Sequence, residues 1–394
     1  MVAGRLGLTS FGGPVAHLGY FREEYVRRRG WLDDATYADL VALCQFLPGP
    51  ASSQLGIAIG TLRAGVAGGV AAWVGFTLPS AIALAIFALA TAHLDPASAG
   101  WLHGLMLVAA AVVIVALVQM ARRLTPDLRR IVMALVAAAV ALAAALPFTP
   151  VALIAAGSAL GLLLLRGRGT REPTPGAAAD ATLARSISRR GALISIMAFG
   201  SILVGLAILR AATQSQPIAI ADVFYRSGSL VFGGGHAILP LLHDAVVPAG
   251  WISNDRFLAG YGAAQAVPGP LLTFAAYLGA AMTPAPNGFP GATIALVAIF
   301  LPSFLLVFAA LPFWTDLRSS ARAGAALAGA NAVVVGLLLA ALWNPIWTSS
   351  VHSILDVVVV IAAVVLLAIV RLPPWLVVIL GAVAGAGLQA AGLR

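Results

Sequence analysis

The chain has 394 residues, 61% of them hydrophobic and 9% charged, with a net charge of +9. Soluble domains carry roughly a quarter of their residues as charges, so most of this surface must be solvated by lipid. The basic residues are all arginine, set in short clusters at the ends of apolar spans. That pattern fits membrane topology and excludes an aromatic-basic stripe for nucleic acid. One cysteine, Cys44, rules out an intrachain disulfide and a cysteine metal cluster, and residues 1–10 lack the apolar core of a cleavable signal peptide. A spanning helix needs about 20 apolar residues. Residues 1–62 are apolar but broken by Gly, Pro and charge. Clear spans follow at 66–92, 98–121, 131–148 and 150–165. A Thr/Pro/Gly/Ala-rich linker over 166–192 predicts a flexible connection without a packed core. Beyond it come a span at 193–213, a second broken stretch at 217–287, and spans at 289–313, 323–343, 353–370 and 373–391.

The two broken stretches carry the same signposts. Phe11-Gly12-Gly13 returns as Phe232-Gly233-Gly234, Trp31 as Trp251, Gln45 as Gln265, and Pro48-Gly49-Pro50 as Pro268-Gly269-Pro270. Leu78-Pro79-Ser80 returns as Leu301-Pro302-Ser303, so the order holds throughout and the separation between copies stays nearly constant. Duplicated Gly/Pro interruptions in so apolar a chain point to a transporter whose site lies between two repeats. The expected fold is an all-α polytopic membrane protein. Its two inverted-topology repeats, each with broken or re-entrant half-helices, cover 1–165 and 193–394 and are joined by the linker 166–192. The span 193–213 has no counterpart in the first half, which begins just before its first motif. Either the repeat is incomplete there or the start is truncated.

Arginine placement predicts the inversion. The linker, with Arg166, Arg168, Arg171, Arg185, Arg189 and Arg190 against Glu172 and Asp180, should be cytoplasmic. Threading back, 122–130 with Arg122, Arg123, Arg129 and Arg130 is also cytoplasmic, and 93–97, without arginine, is outside. In the second half the bias swaps: 314–322 carries Arg318 and Arg322, while 344–352 carries none.

Each Pro-Gly-Pro predicts a helix break. Proline favours the first helical turn, so Pro50 and Pro270 should open half-helices over 51–62 and 271–282. Free backbone N–H groups and the positive dipole end would then face the break, an anion-binding arrangement. Ser52, Ser53 and Thr273 add hydroxyls there, and Gln45 and Gln265 add amide donors. The alternative is a tight structural turn, which two matched copies make less attractive. Gly12, Gly13 and Pro14, with Gly233, Gly234 and Gly235, allow the backbone to approach a ligand or another helix. His17 and His236 beside them are candidates for anion binding or proton coupling, with ordinary packing as the alternative. Arg22, Glu23, Glu24 and 27–29 look like a cytoplasmic interfacial cluster, although Arg22 could reach an anion and Glu23 could relay a proton. Asp222 and Arg226 should form a local ion pair. Pro79 and Pro302 should kink their spans, as hinges or simply as shape. No histidine pair has metal-ligand spacing on one helix face, and no cofactor is expected.

These residues resemble the chromate ion transporter family in its long, two-domain form. The likeness rests on Phe11-Gly-Gly-Pro-Val-Ala-His17-Leu-Gly-Tyr-Phe-Arg22, Gln45-Phe-Leu-Pro-Gly-Pro50, Phe232-Gly-Gly-Gly-His236-Ala-Ile-Leu-Pro240 and Gln265-Ala-Val-Pro-Gly-Pro270, and covers essentially the whole chain. It implies a bacterial inner-membrane protein that exports chromate and confers resistance to it, with related oxyanions such as sulfate as competitors. The residues alone reach an anion transporter with an inverted repeat. A channel or a permease for another anion would share the same fold. A membrane enzyme such as a chromate reductase would need a redox site, which the sequence does not offer. The partners expected are the oxyanion and the lipid bilayer, with no nucleic acid. A homodimer is compatible with the same sequence.

Overall fold

A computed structural model describes residues 1–94, 99–144, 148–165 and 187–393. Most of the linker, 166–186, and most of the outside loop predicted over 93–97 lie outside the described residues, as do the side chains of Pro14, Val15, Thr315 and Arg318. The described residues form helices and no strand. The first half runs α1 (Val2–Thr9), α2 (Gly13–Phe21, continued as a wider π turn over Arg22–Arg28), α3 (Asp34–Phe46), α4 (Ala51–Ala90), α5 (Gly100–Leu124), α6 (Leu128–Ala143) and α7 (Thr149–Leu164). After the linker, α8 (Arg189–Ala212) leads into α9 (Gln216–Ser229) and a 3-10 turn at Gly235–Ala237, which opens α10 (Ile238–Val246). Then come α11 (Asn254–Ala264), a 3-10 turn at Leu271–Thr273, α12 (Phe274–Ala281) and α13 (Gly288–Ala310). The chain closes with α14 (Trp314–Ser319), α15 (Ala321–Ala341), α16 (Ile354–Ala368) and α17 (Pro374–Ala390).

Five described helical stretches are long and apolar enough to cross a membrane: Ala51–Ala90, Gly100–Leu124, Arg189–Ala212, Gly288–Phe313 and Ala321–Ser350. Their apolar surfaces and the exposed Leu193, Ile194, Met197 and Ile208 of α8 mark a polytopic membrane protein. The 40-residue α4 is two helices in one run. Ala64 (φ −148°) and Gly65 (φ 63°) leave helical geometry and fold 51–63 back against 66–90. Gly60 and Gly68 make that hairpin tight, since a Cβ on either would strike the other's carbonyl oxygen. A half-helix followed by a full span is therefore what the Pro-Gly-Pro signal produces in the first half. In the second half the same pieces are α12 and α13, separated by a loop.

The two halves interlock by exchange. α7 packs on α15, with Gly157 and Gly161 against Gly329 and Ala325, while α17 packs on α5, with Gly381 and Gly385 against Gly104 and Gly100. Small residues four apart allow such backbone contact where lipid supplies no hydrophobic drive between helices. Within each half the helix ahead of Phe-Gly-Gly lies on the span that carries the duplicated proline: α1 on α4 through Gly7 and Phe76 O, and α9 on α13 through Gly228 and the Ile299 carbonyl. Pro79 and Pro302 both stand inside their helices, as expected.

Candidate functional site

The site is built where the chain breaks. Gly49 N–H donates to Val231 O at 2.7 Å, and Gly269 N–H donates to Ser10 O at 2.9 Å. Each Pro-Gly-Pro thus bonds the carbonyl just ahead of the other half's Phe-Gly-Gly. A Cβ on Gly49 would lie 3.0 Å from Ser303 Oγ, and one on Gly269 would lie 2.8 Å from Ser80 Oγ. The three duplicated motifs therefore meet in crossed pairs, the contact pattern of a two-fold related interface. Both glycines are left-handed, with φ 125° and 102°, a conformation in which a side chain costs about 1–2 kcal/mol.

One cavity of about 260 Å³ opens beside this crossing, lined by Gly12 and Gly13 from one half and His236, Gln265, Gly269 and Arg371 from the other. Gln119 of α5 adds an amide to its wall. A water occupies about 30 Å³ of liquid volume, so a small ion with part of its hydration fits. Tyr261, fully buried, organises this wall. Its hydroxyl lies 2.7 Å from His236 Nδ1, and its carbonyl accepts from Gln265 Nε2 at 3.4 Å.

Arg371 is the residue that sequence reasoning missed. It sits at φ 61°, the only described non-glycine residue with positive φ, in the cap closed by Leu372 N–H on Leu366 O at 2.9 Å. Glycine is the usual occupant of such a position. Arg371 is exposed, and no described side chain bonds it, so its guanidinium is available to an anion at the cavity mouth. The signal was a second duplicated dipeptide, Leu146-Pro147 and Leu372-Pro373, in which Ala145 precedes one copy and Arg371 the other.

The remaining sequence candidates divide by partner. Gln45 does not line this cavity; Arg123 Nη2 donates to its Oε1 at 2.7 Å. His17 is buried, with Nε2 3.2 Å from Ser10 O and Nδ1 without a partner. Ser52 and Ser53 are buried at the start of the first half-helix, and Ser53 Oγ has no partner. Thr273 Oγ1 donates to Pro270 O at 2.7 Å, so its hydroxyl is already committed. Arg22 pairs with Asp34 at 2.8 Å on the surface, and Glu23 is exposed against Arg27 and Arg28, as a solvated face predicts. Gly233 packs on Leu124 and Met120, Gly234 has open space around it, and Gly235 touches Leu271. The expected Asp222–Arg226 pair is present at 2.7 Å, with Arg210 as a second partner at 3.0 Å. Among the described residues no group of three His, Cys, Asp or Glu side chains could hold a metal ion.

The chromate transport protein of Cupriavidus metallidurans is 27% identical over 375 residues, covering 93% of this chain and 85% of that protein. A chromate transport protein of Pseudomonas aeruginosa is 28% identical over 342 residues, 85% of this chain and 77% of its own. A probable chromate transport protein of Synechococcus elongatus is 27% identical over 354 residues, 86% of this chain and 81% of its own. No solved structure matches. The chromate transporter family model matches residues 1–162 and 218–386, which together hold every duplicated motif of the crossing, and this chain belongs to that family.

Proposed function

We propose that the chain is a secondary transporter that exports chromate across the bacterial inner membrane by alternating access, giving chromate resistance, with sulfate as a competitor. The observation that carries this reading is the cavity at the crossing, where Gly12 and Gly13 of one half face Gln265 and Gly269 of the other and Arg371 stands at the mouth. Amide donors, backbone at a helix break and one guanidinium suit a tetrahedral dianion. Residues 1–165 and 193–394 act as the two rocking repeats.

With the linker cytoplasmic, α15 leaves the cytoplasm and α16 returns to it, so Arg371 and the cavity face the cell interior. Sulfate shares the charge and shape of chromate, which supports competition. Export of a dianion from a negative interior is favoured by roughly 2.3 kcal/mol per charge per 100 mV. Uptake of labelled chromate into inside-out vesicles tests this. Saturable uptake with counterflow is expected, and linear flux without counterflow would mark a channel instead. Full transport in a Gln45→Ala, Gln265→Ala double variant would sink the proposed site.

A further inference from the structure

A second cavity, of about 200 Å³, is lined by Pro240, His243 and Asp244 of α10, whereas the first reaches His236 just ahead of that helix. Its walls are the repeat-related counterparts of the first. Leu337 and Ala340 stand where Ala116 and Gln119 stand in the first, at the same separation along the chain as Phe232 from Phe11. Ala141 and Thr149 stand where Leu367 and Pro374 do, at a separation only slightly longer. The floors differ. The first cavity reaches Gly12, Gly13 and Gly269 at the breaks, while the second stops at Pro240 and His243. Between them stand His236, which lines the first cavity, and the fully buried Ile238 and Leu239.

The geometry points to the second cavity as the release vestibule of the same oxyanion path, with α10 as the gate closed across it. This rests on the transport reading above. The charges of the two mouths support the direction. Arg371 lines the first, whereas the second has no arginine among its described lining residues and carries Asp244. His243 lies between Asp244 Oδ1, 3.2 Å from its Nδ1, and Asn254 Oδ1, 3.0 Å from its Nε2. Both ring nitrogens are engaged there, so neither is free for a dianion. A path must bind well enough to load and weakly enough to unload, and these two mouths divide those tasks.

Sidedness of cysteine labelling in the full-length protein tests the assignment, with buried Cys44 as the slow internal control. A membrane-impermeant maleimide should label Ala340→Cys at least tenfold faster from the periplasmic side and Ala116→Cys at least tenfold faster from the cytoplasmic side. Saturating chromate should move the two rates in opposite directions. Leu337→Cys, on the same wall as Ala340, replaces Ala340→Cys if that variant does not fold. Labelling of both walls from one side, or rates indifferent to chromate, overturns the proposal. Asp244→Asn should lower the KM for chromate offered on the periplasmic side about threefold, and an unchanged KM overturns the release-side assignment. Chromate exchange by the native protein reads the transport function separately. Its absence sinks that function, while exchange with one-sided labelling sinks only the vestibule.

Discussion

The two broken-helix hairpins derive from one pattern and sit in different surroundings. The second, α11 with α12, is sealed in the main core: Phe257, Tyr261, Phe274 and Leu278 are nearly or fully buried, and α11 packs along α5. The first, α3 with the opening half of α4, has a smaller core of its own, shared with Val307, Phe308 and Trp314 beyond Pro302 of α13. The duplicated tryptophans show the same divergence. Trp251 is buried in the main core, whereas Trp31 stacks on Tyr25 and lies under the guanidinium of Arg63, 4.7 Å from its ring. A near-symmetric sequence is thus held in an asymmetric packing. Under the alternating-access proposal, the hairpin that is sealed here is the looser one in the opposite state.

The harshest way to break this comparison is to fill the two crossed glycines. A Cβ on Gly269 would lie 3.2 Å from Phe76 O as well as close to Ser80 Oγ, so it would meet backbone that cannot turn away. Gly49 meets the side chains of Gln54 and Ser303, which can shift. With left-handed strain of about 1–2 kcal/mol and overpacking of about 1–3 kcal/mol, Gly269→Ala should abolish transport and lower Tm most. Gly49→Ala should cost visibly less. Equal losses in thermal melts would show that the two breaks are mechanically alike.

Arg371 sharpens the comparison next, because the first half has Ala145 at the matching place. Arg371→Gln should raise the KM for chromate about tenfold, near 1.4 kcal/mol, with Lys restoring part of it. Arg371→Gly should weaken binding similarly while raising Tm, since glycine relieves left-handed strain of about 1–2 kcal/mol. A variant that lost both affinity and stability would make Arg371 structural. Of the paired glutamines, Gln265 faces the cavity and Gln45 is held by Arg123. A hydrogen bond to a charged group contributes about 1.5–3 kcal/mol. Gln265→Ala should therefore raise KM on the cytoplasmic side about tenfold, and Gln45→Ala should change it less than threefold in vesicle assays.

Much of this was legible because glycine and proline report backbone constraints directly. Pro50 and Pro270 placed both half-helices, and the duplicated Phe-Gly-Gly, Pro-Gly-Pro and Leu-Pro-Ser triplets are the segments that cross. Their pairing was less legible. Each Pro-Gly-Pro bonds the carbonyl just ahead of the other half's Phe-Gly-Gly, and Thr273 turns its hydroxyl back on Pro270. The exchange of α7 and α17 onto α15 and α5 depends on small residues that a Gly/Ala-rich chain offers everywhere. Which hairpin is sealed cannot be read from two near-identical motifs, because a repeat encodes both arrangements. Arg371 and Tyr261 matter through the backbone turn and buried hydroxyl that present them, and neither residue is itself repeated in the first half.

The gentlest test concerns the base of the first hairpin. Glu24 is covered by its own arginine neighbours, with Arg29 Nε donating to its Oε1 at 2.8 Å and Arg28 3.8 Å away. The second half has no such cluster; His243 and Asp244 stand at the places in their repeat that Glu23 and Glu24 hold in the first. The Arg29 hydrogen bond, opposed by desolvation, holds the Glu24 carboxyl below the ordinary glutamate value of 4.5. A depressed carboxylate contributes its stability above the unfolded-state value and loses it as pH falls through the folded one. The contribution should be whole above about pH 4.5 and fade below it. Interfacial pairs contribute about 0–1 kcal/mol, so Glu24→Gln should lower Tm slightly at pH 7 and flatten the acid limb of Tm against pH. An acid limb as steep in the variant as in the native protein would assign that loss to other carboxylates. It would also leave the first hairpin without the electrostatic anchor that distinguishes it from the second.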